Sequence, residues 1–106
     1  MNTLFVMRGC PFCDMAKIAV IFLNQKLPPG QQIDIVDIFD GDPRNAIMAE
    51  LFGDDMYEWR VPVLVIERDG IRQVFDSFIP AKEHRMLFHS VSGWEHYYKL
   101  LLNILK

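Results

Sequence analysis

Residues 4–13 read LFVMRGCPFC, and this stretch decides how the chain folds. Its first four residues form a short apolar run, which predicts a buried β-strand. Pro11 suits the first turn of a helix, where its missing N–H costs nothing, and the pair of prolines that begins at Pro28 would end that helix. We therefore predict a strand followed at once by a helix over residues 11–26, with both cysteines of the chain at the junction.

Strands and helices alternate along the rest of the chain. Apolar patterns and turn residues predict four further elements: a strand at residues 32–38, a helix at 42–52, a strand at 61–66 and its hairpin partner at 71–75. Two helices, over residues 80–89 and 94–105, would close the chain. This order predicts an α/β fold with a four-stranded mixed sheet flanked by helices.

Composition and charge narrow the class of protein. With 106 residues, 51% of them hydrophobic and 24% charged, the chain can bury one core, so we expect a single domain over residues 1–106. A net charge of −3 argues against nucleic acid as a partner. No apolar run reaches the roughly 18 residues of a membrane span, and no leader peptide is visible. A cytoplasmic protein without membrane contact is therefore expected.

Both cysteines lie in one tetrad, Cys10-Pro11-Phe12-Cys13. A disulfide that closes so short a loop cannot staple a fold, so the pair is a candidate for redox chemistry or for half of a metal site. Cys10 falls at the start of the helix, where unpaired backbone N–H groups and the helix dipole favour a thiolate. Cys13 lies one turn further on, close to disulfide reach. We predict that Cys10 is the more acidic and more accessible nucleophile and that Cys13 resolves the mixed disulfide.

Two other interpretations of the cysteine pair stay open. In the first, the chain is a binding or adaptor module whose thiols do little redox work. In the second, the thiols hold a metal together with His84 and His89. These histidines follow the cysteines at a much greater distance than the second ligand pair of a zinc finger does, so we predict no metal site.

Three stretches resemble the glutaredoxin branch of the thioredoxin superfamily: GCPFC at residues 9–13 with the following Ala16-Lys17, IVDI at 35–38 and VPVLVI at 61–66. The resemblance covers roughly residues 3–88, which leaves residues 93–106 as a C-terminal helical extension of that core. It implies a thioredoxin/glutaredoxin-like fold, thiol–disulfide exchange and a cis peptide bond between Val61 and Pro62. Such a bond would leave backbone groups of Val61 free to pair with an extended substrate.

Six residues near these motifs are candidates for binding substrate. They are Arg8, Pro11, Phe12, Arg60, Val61 and Pro62. Arg8 would either steady the Cys10 thiolate or be an ordinary solvated cation. Tyr57 and Trp59 would either form a docking rim near these residues or cap the core.

One departure from the family concerns the electron donor. Members that bind glutathione carry a Gly-Gly pair after the last strand, where this chain has FDSF at residues 75–78, and Arg60 stands where Thr is usual. Without glycine the backbone cannot be approached as closely. We therefore expect weak binding of glutathione as co-substrate, and a thioredoxin-reductase-like enzyme or a dedicated protein partner as an equally good donor. No bound cofactor is expected, and the substrate would be a disulfide-bearing protein or a small thiol compound.

The first helix is apolar around its whole circumference at residues 18–23, although a helix on a sheet buries only one stripe. This leaves Ile18 and Phe22 available for a further contact. The last helix carries a matching apolar stripe, composed of Trp94, Tyr98, Leu101 and Leu105. We expect this stripe to cover the first helix, either within a monomer or across a homodimer.

Overall fold

A computed structural model describes residues 1–75 and 94–105 of the chain. The strands in these two ranges are β1 (Asn2–Val6), β2 (Ile33–Asp37), β3 (Val63–Arg68) and β4 (Ile71–Phe75), and the helices are α1 (Pro11–Asn24), α2 (Ala46–Phe52) and α3 (Trp94–Leu105). Short 3-10 turns lie at Pro29–Gln31, Pro43–Asn45 and Met56–Glu58. The helix predicted at residues 80–89 lies outside the described residues.

The four strands form one mixed sheet in the order β2-β1-β3-β4. β1 runs parallel to β2 and antiparallel to β3, so that Leu4 lies between Ile35 and Leu64. β3 and β4 pair as the predicted hairpin. Asp69 and Gly70 both have positive φ values in its two-residue turn, as a tight antiparallel hairpin requires. An α/β fold with a four-stranded mixed sheet is therefore confirmed.

Side chains of β1 alternate between two apolar clusters, one on each face of the sheet. Leu4 and Val6 belong to the first cluster, which α1 and α3 cover. We call this side the thiol face, because Cys13 is part of its core. Phe5 belongs to the second cluster, which is covered by the seven residues of α2 and by the segment before β3. We call this side the α2 face.

α3 packs along α1 and completes the core of the thiol face. The rings of Phe22 and Trp94 stack with their centroids 4.7 Å apart, so the cover forms within one chain, the first of the two predicted alternatives. The predicted stripe is confirmed for Leu101, which is fully buried, but it lacks Tyr97, which is fully buried too, and its members Trp94 and Tyr98 are only half-buried. Since α3 is apolar on several sides, its contact with α1 decides which residues point inward.

Several predicted boundaries shift. α2 begins at Ala46 rather than at residue 42, because Pro43–Asn45 form a separate 3-10 turn. α1 ends at Asn24, whose side chain exchanges two hydrogen bonds of 2.8 and 2.9 Å with the backbone of Ile33 and so ties the helix end to β2. β3 begins at Val63 rather than at residue 61, because Pro62 has no N–H to donate to the sheet. Within the described residues, no helix has the length and apolarity needed to cross a bilayer.

Candidate active site

Cys10 is the N-cap residue of α1. Its backbone is extended, its N–H donates to the carbonyl of Met7 at 3.3 Å, and its own carbonyl accepts the first helical hydrogen bond from Asp14 at 3.0 Å. The Sγ of Cys10 accepts the backbone N–H of Cys13 at 3.2 Å. The sulfur therefore stands where a Ser or Asp oxygen commonly caps a helix, a place that favours negative charge.

The two sulfurs differ sharply in exposure. Cys10 is half-buried, whereas Cys13 is fully buried in the core of the thiol face, and both are free thiols. Burial raises the pKa of the Cys13 thiol far above its ordinary value, and its hydrogen bond with Cys10 acts in the same direction. The predicted order of accessibility, with Cys10 outside and Cys13 inside, is confirmed.

The turn between β1 and α1 has the residues that its backbone requires. Gly9 has a φ of 78°, in the left-handed region where a Cβ is unfavourable. Pro11 follows as the exposed first residue of α1. Phe12 is half-buried and packs against the thiol-face cluster. Of the two residues between the cysteines, one is thus open to solvent and the other is anchored in the core.

The peptide bond between Val61 and Pro62 is cis, as the resemblance implied. Pro62 is buried, and half-buried Val61 packs against the apolar clusters of both faces. Because Phe5 pairs with Val63 in the sheet, this segment lies at the end of β1 that leads to Cys10. Arg60, immediately before it, is exposed. The Val61-Pro62 segment is therefore the place where the two faces of the sheet meet next to the cysteines.

Arg8 is held by two carboxylates, one on the last residue of β2 and one on the loop that follows it. Its Nε donates to Asp37 at 3.3 Å, and its guanidinium also forms a short ion pair with Asp40. The side chain is 65% exposed in this position. Arg8 is thus not a purely solvated cation, because carboxylates bind it. These contacts do not direct its side chain toward the sulfur of Cys10.

Tyr97 is a residue of the site that the sequence interpretation missed. It is fully buried in α3 and belongs to the same cluster as Cys13. Burial raises the pKa of the Tyr97 phenol, and the charges of Cys10 and Cys13 act in the same direction. The i, i+4 pair of Tyr97 and Leu101 carried the signal, whereas the stripe predicted from the sequence contains Leu101 without Tyr97.

An apolar groove opens on the α2 face beside the cis bond. Its volume is about 300 Å³, and its lining residues are Met7, Ile38, Phe39, Met56, Tyr57, Trp59 and Val61. Trp59 is half-buried and donates its Nε1 hydrogen bond to the carbonyl of Gly53 at 2.6 Å, whereas Tyr57 is 97% exposed. Trp59 therefore caps the core, as one of the two predicted alternatives has it, and it also lines the groove together with the exposed Tyr57.

The described part of the chain offers no third ligand beside the thiols. Across residues 1–75 and 94–105, no group of three or more His, Cys, Asp or Glu side chains could hold a metal ion. His84 and His89, the metal ligands considered from the sequence, lie outside these ranges. The described geometry at the cysteines is that of a dithiol at a helix N-terminus.

No protein-family profile matches the chain, and comparison with the curated proteins and with the solved structures gives no match. The candidate site is therefore defined by its own geometry.

Proposed function

We propose that this chain is a thiol–disulfide oxidoreductase with a thioredoxin/glutaredoxin-like fold. The observation that carries the proposal is the asymmetry of the dithiol: the half-buried Cys10 sulfur accepts a backbone N–H at the start of α1, and the fully buried Cys13 stands one turn behind it. A nucleophilic thiol needs a place that favours its anion and is open to substrate. A resolving thiol needs proximity and protection from solvent.

The proposed reaction proceeds by two exchanges. The Cys10 thiolate attacks one sulfur of a substrate disulfide, forms a mixed disulfide and releases the other sulfur as a thiolate that takes up a proton. Cys13 then loses its proton and attacks the Cys10 sulfur, which releases the second substrate thiol. The substrate gains two electrons, and the protein is left with a Cys10–Cys13 disulfide that a thiol reductant, such as glutathione or a protein dithiol, must reduce.

Burial gives the two steps their order. Because the pKa of Cys13 is raised, this residue stays protonated while Cys10 meets the substrate. Formation of the mixed disulfide removes the negative charge of Cys10, which is one of the causes of that high pKa, and so makes the deprotonation of Cys13 easier. The proposed resolving step is thereby coupled to the first exchange.

Two further features support the proposal. The sheet order β2-β1-β3-β4, with a cis proline just before β3, is compatible with a thioredoxin-like fold. A reducing compartment such as the cytoplasm suits the chemistry, because it keeps such thiol pairs reduced and ready to act. We propose an enzyme without a bound cofactor that works with a protein or small-molecule disulfide.

Reduction of insulin by the purified protein tests the proposal, with glutathione and with thioredoxin reductase supplied in parallel as electron sources. We expect turnover with at least one donor and a reversible Cys10–Cys13 disulfide with a potential of roughly −270 to −200 mV. A cysteine pair that stays in one state at all potentials would favour the adaptor interpretation. Stoichiometric zinc in the purified protein would favour the metal interpretation.

A further inference from the structure

Two lining residues connect the groove on the α2 face with the proposed active site. The carbonyl of Met7, a lining residue, accepts the backbone N–H of Cys10 at 3.3 Å. Val61, another lining residue, also packs against the cluster that contains Cys13. A side chain seated in the groove would thus belong to a segment that passes next to Cys10.

The lining of the groove suits an apolar side chain. Phe39 is 53% exposed and Tyr57 is 97% exposed, so two aromatic rings stand in solvent at the border of a cavity of about 300 Å³. Met56 adds a flexible apolar side chain that can adapt to different shapes. Aromatic and methionine side chains are the types enriched where proteins bind one another.

The sequence segments that form the groove carry a net negative charge. The segments that form it contain five acidic residues and two arginines: Asp37, Asp40, Asp54, Asp55 and Glu58 against Arg8 and Arg60. Arg8 is bound by two of these carboxylates, so its charge is already compensated. Such a rim attracts cationic groups and repels anionic ones.

From these observations we infer that the groove selects the substrate, an inference that rests on the proposed oxidoreductase function. The occupant is an extended segment of a disulfide-bearing protein, with an aromatic or large aliphatic side chain next to its cysteine and a Lys or Arg close by. The apolar side chain fills the groove, the basic side chain lies over the acidic rim, and the disulfide is thereby presented to Cys10. Glutathione is anionic and has no large apolar side chain, so it meets neither requirement.

Four matched hexapeptides test the inference. Each carries one cysteine as a mixed disulfide with 2-mercaptoethanol, flanked by Phe or Ala on one side and by Lys or Glu on the other. The rate of reduction by the reduced full-length protein is measured in a single turnover. We expect the Phe peptides to react about tenfold faster than the Ala peptides, which is the order of discrimination that one filled apolar pocket supplies. Lys should give a further gain of about threefold over Glu that shrinks in high salt.

Paired variants locate the recognition. In the double variant Phe39→Ser/Tyr57→Ser, the preference for Phe over Ala should fall toward one, whereas Ile71→Ser, which removes a 67% exposed residue from β4, should keep it. Glu58→Lys should remove the preference for Lys over Glu, whereas Glu95→Lys on α3 makes the same change of charge and should keep it. Tyr57→Ser alone, at a 97% exposed position, serves if the double variant does not fold.

The outcomes separate the two proposals. Equal rates for all four peptides, with 2-hydroxyethyl disulfide still reduced, would overturn the groove's role and leave the oxidoreductase function in place. A Phe preference that survives in the groove variants would overturn the inference as well. If no disulfide is reduced at all, the proposed function itself fails.

Discussion

The two faces of the sheet are covered in different ways. On the thiol face, α1 and α3 bury Cys13, Tyr97 and Leu101 completely. On the α2 face, the helix that the structure describes has only seven residues, and Phe39 and Tyr57 are exposed beside an open groove. One face is a closed core and the other is partly a surface.

This difference matches what each face would have to do in the proposed reaction. Exchange between two thiols requires that both sulfurs be held in a fixed relation, and a close-packed core provides that fixity. Recognition of varied protein segments tolerates, and benefits from, exposed apolar side chains on loops that a rigid framework positions. The sequence segment that joins the two, residues 59–62, contributes to both sides of the sheet.

The thiol pair gives the largest expected effect. Cys10→Ser should abolish reduction of disulfide substrates, because the attacking sulfur is lost. Cys13→Ser should leave the attack intact and trap the substrate on Cys10, since nothing resolves the mixed disulfide. Mass spectrometry of each variant after exposure to a disulfide peptide checks both results.

The order of alkylation provides the control for this assignment. At neutral pH, iodoacetamide should label Cys10 first, and Cys13 only after unfolding, because Cys13 is fully buried and its pKa is raised. Faster labelling of Cys13, or a trapped complex in Cys10→Ser, would show that the roles are reversed.

Two tyrosines sharpen the contrast between the faces. Tyr97→Ala should lower the free energy of unfolding by about 3–5 kcal/mol, because it empties a fully buried site in the thiol-face core. Tyr57→Ala removes the same side chain at a 97% exposed position and should change stability by less than about 0.5 kcal/mol. Urea denaturation of both variants measures the difference. Losses of equal size would contradict the distinction between a closed core and a surface.

Local sequence was sufficient for features that depend on neighbouring residues. The strand–helix junction places Cys10 at the N-cap and Cys13 one turn later, so their relative exposure follows from helix geometry. The hairpin turn at Asp69 and Gly70 is equally local. The cis bond at Pro62 was different, because it was expected only from the resemblance to a family and not from the composition of the segment.

Local sequence patterns did not predict the features that depend on contacts between residues far apart in the chain. The carboxylates that bind Arg8 come from positions 29 and 32 residues further along the chain, so no spacing rule indicates them. The inward side of α3 is set by its contact with α1, and an apolar helix gives several stripes of similar strength. The groove likewise combines three segments that are separate in sequence.

Alkaline pH should weaken the thiol face in particular. The pKa values of Cys13 and Tyr97 are both raised by burial, so the folded chain retains protons that the unfolded chain releases near pH 8.5 for a thiol and near pH 10 for a phenol. Stability is therefore fully present below about pH 8.5 and declines above it, by roughly 1.4 kcal/mol per pH unit for each retained proton. Urea denaturation at pH 7.5, 8.5 and 9.5 measures the slope.

Cys13→Ser is the matched control for this slope. Its stability should fall less steeply than that of the unchanged protein between pH 8.5 and pH 9.5. The variant lacks the buried thiol, which keeps its proton in the folded chain and releases it in the unfolded chain. An identical slope in the variant would mean that Cys13 is not the group that resists ionisation.

The smallest expected effect concerns the segment just before α2, where Asp42 interacts with Arg44. Arg44 lowers the pKa of Asp42 to about 2 through hydrogen bonds from its side chain and from its backbone N–H. Because the folded pKa lies below the unfolded value of about 3.9, the contribution to stability is present above about pH 4 and is lost as the pH falls toward 2. Asp42→Asn keeps one oxygen as the N-cap acceptor and removes the charge together with the second oxygen, which accepts from the Arg44 guanidinium.

Asp42→Asn should therefore cost a little stability at pH 7 in low salt, less in high salt, and nothing near pH 2. Tyr97→Ala should cost the same in low and in high salt, because burial of an apolar ring does not depend on screening at this level. Asp54→Asn, in the exposed loop after α2, controls for the general loss of one negative charge. Chemical denaturation at two pH values and two salt concentrations measures all three variants. The loss of stability in Asp42→Asn could instead match that of Tyr97→Ala, or stay the same at both pH values and both salt concentrations. Either result would mean that packing stabilises the start of α2, as it does the thiol face. The contrast between the two faces would then not extend to this segment.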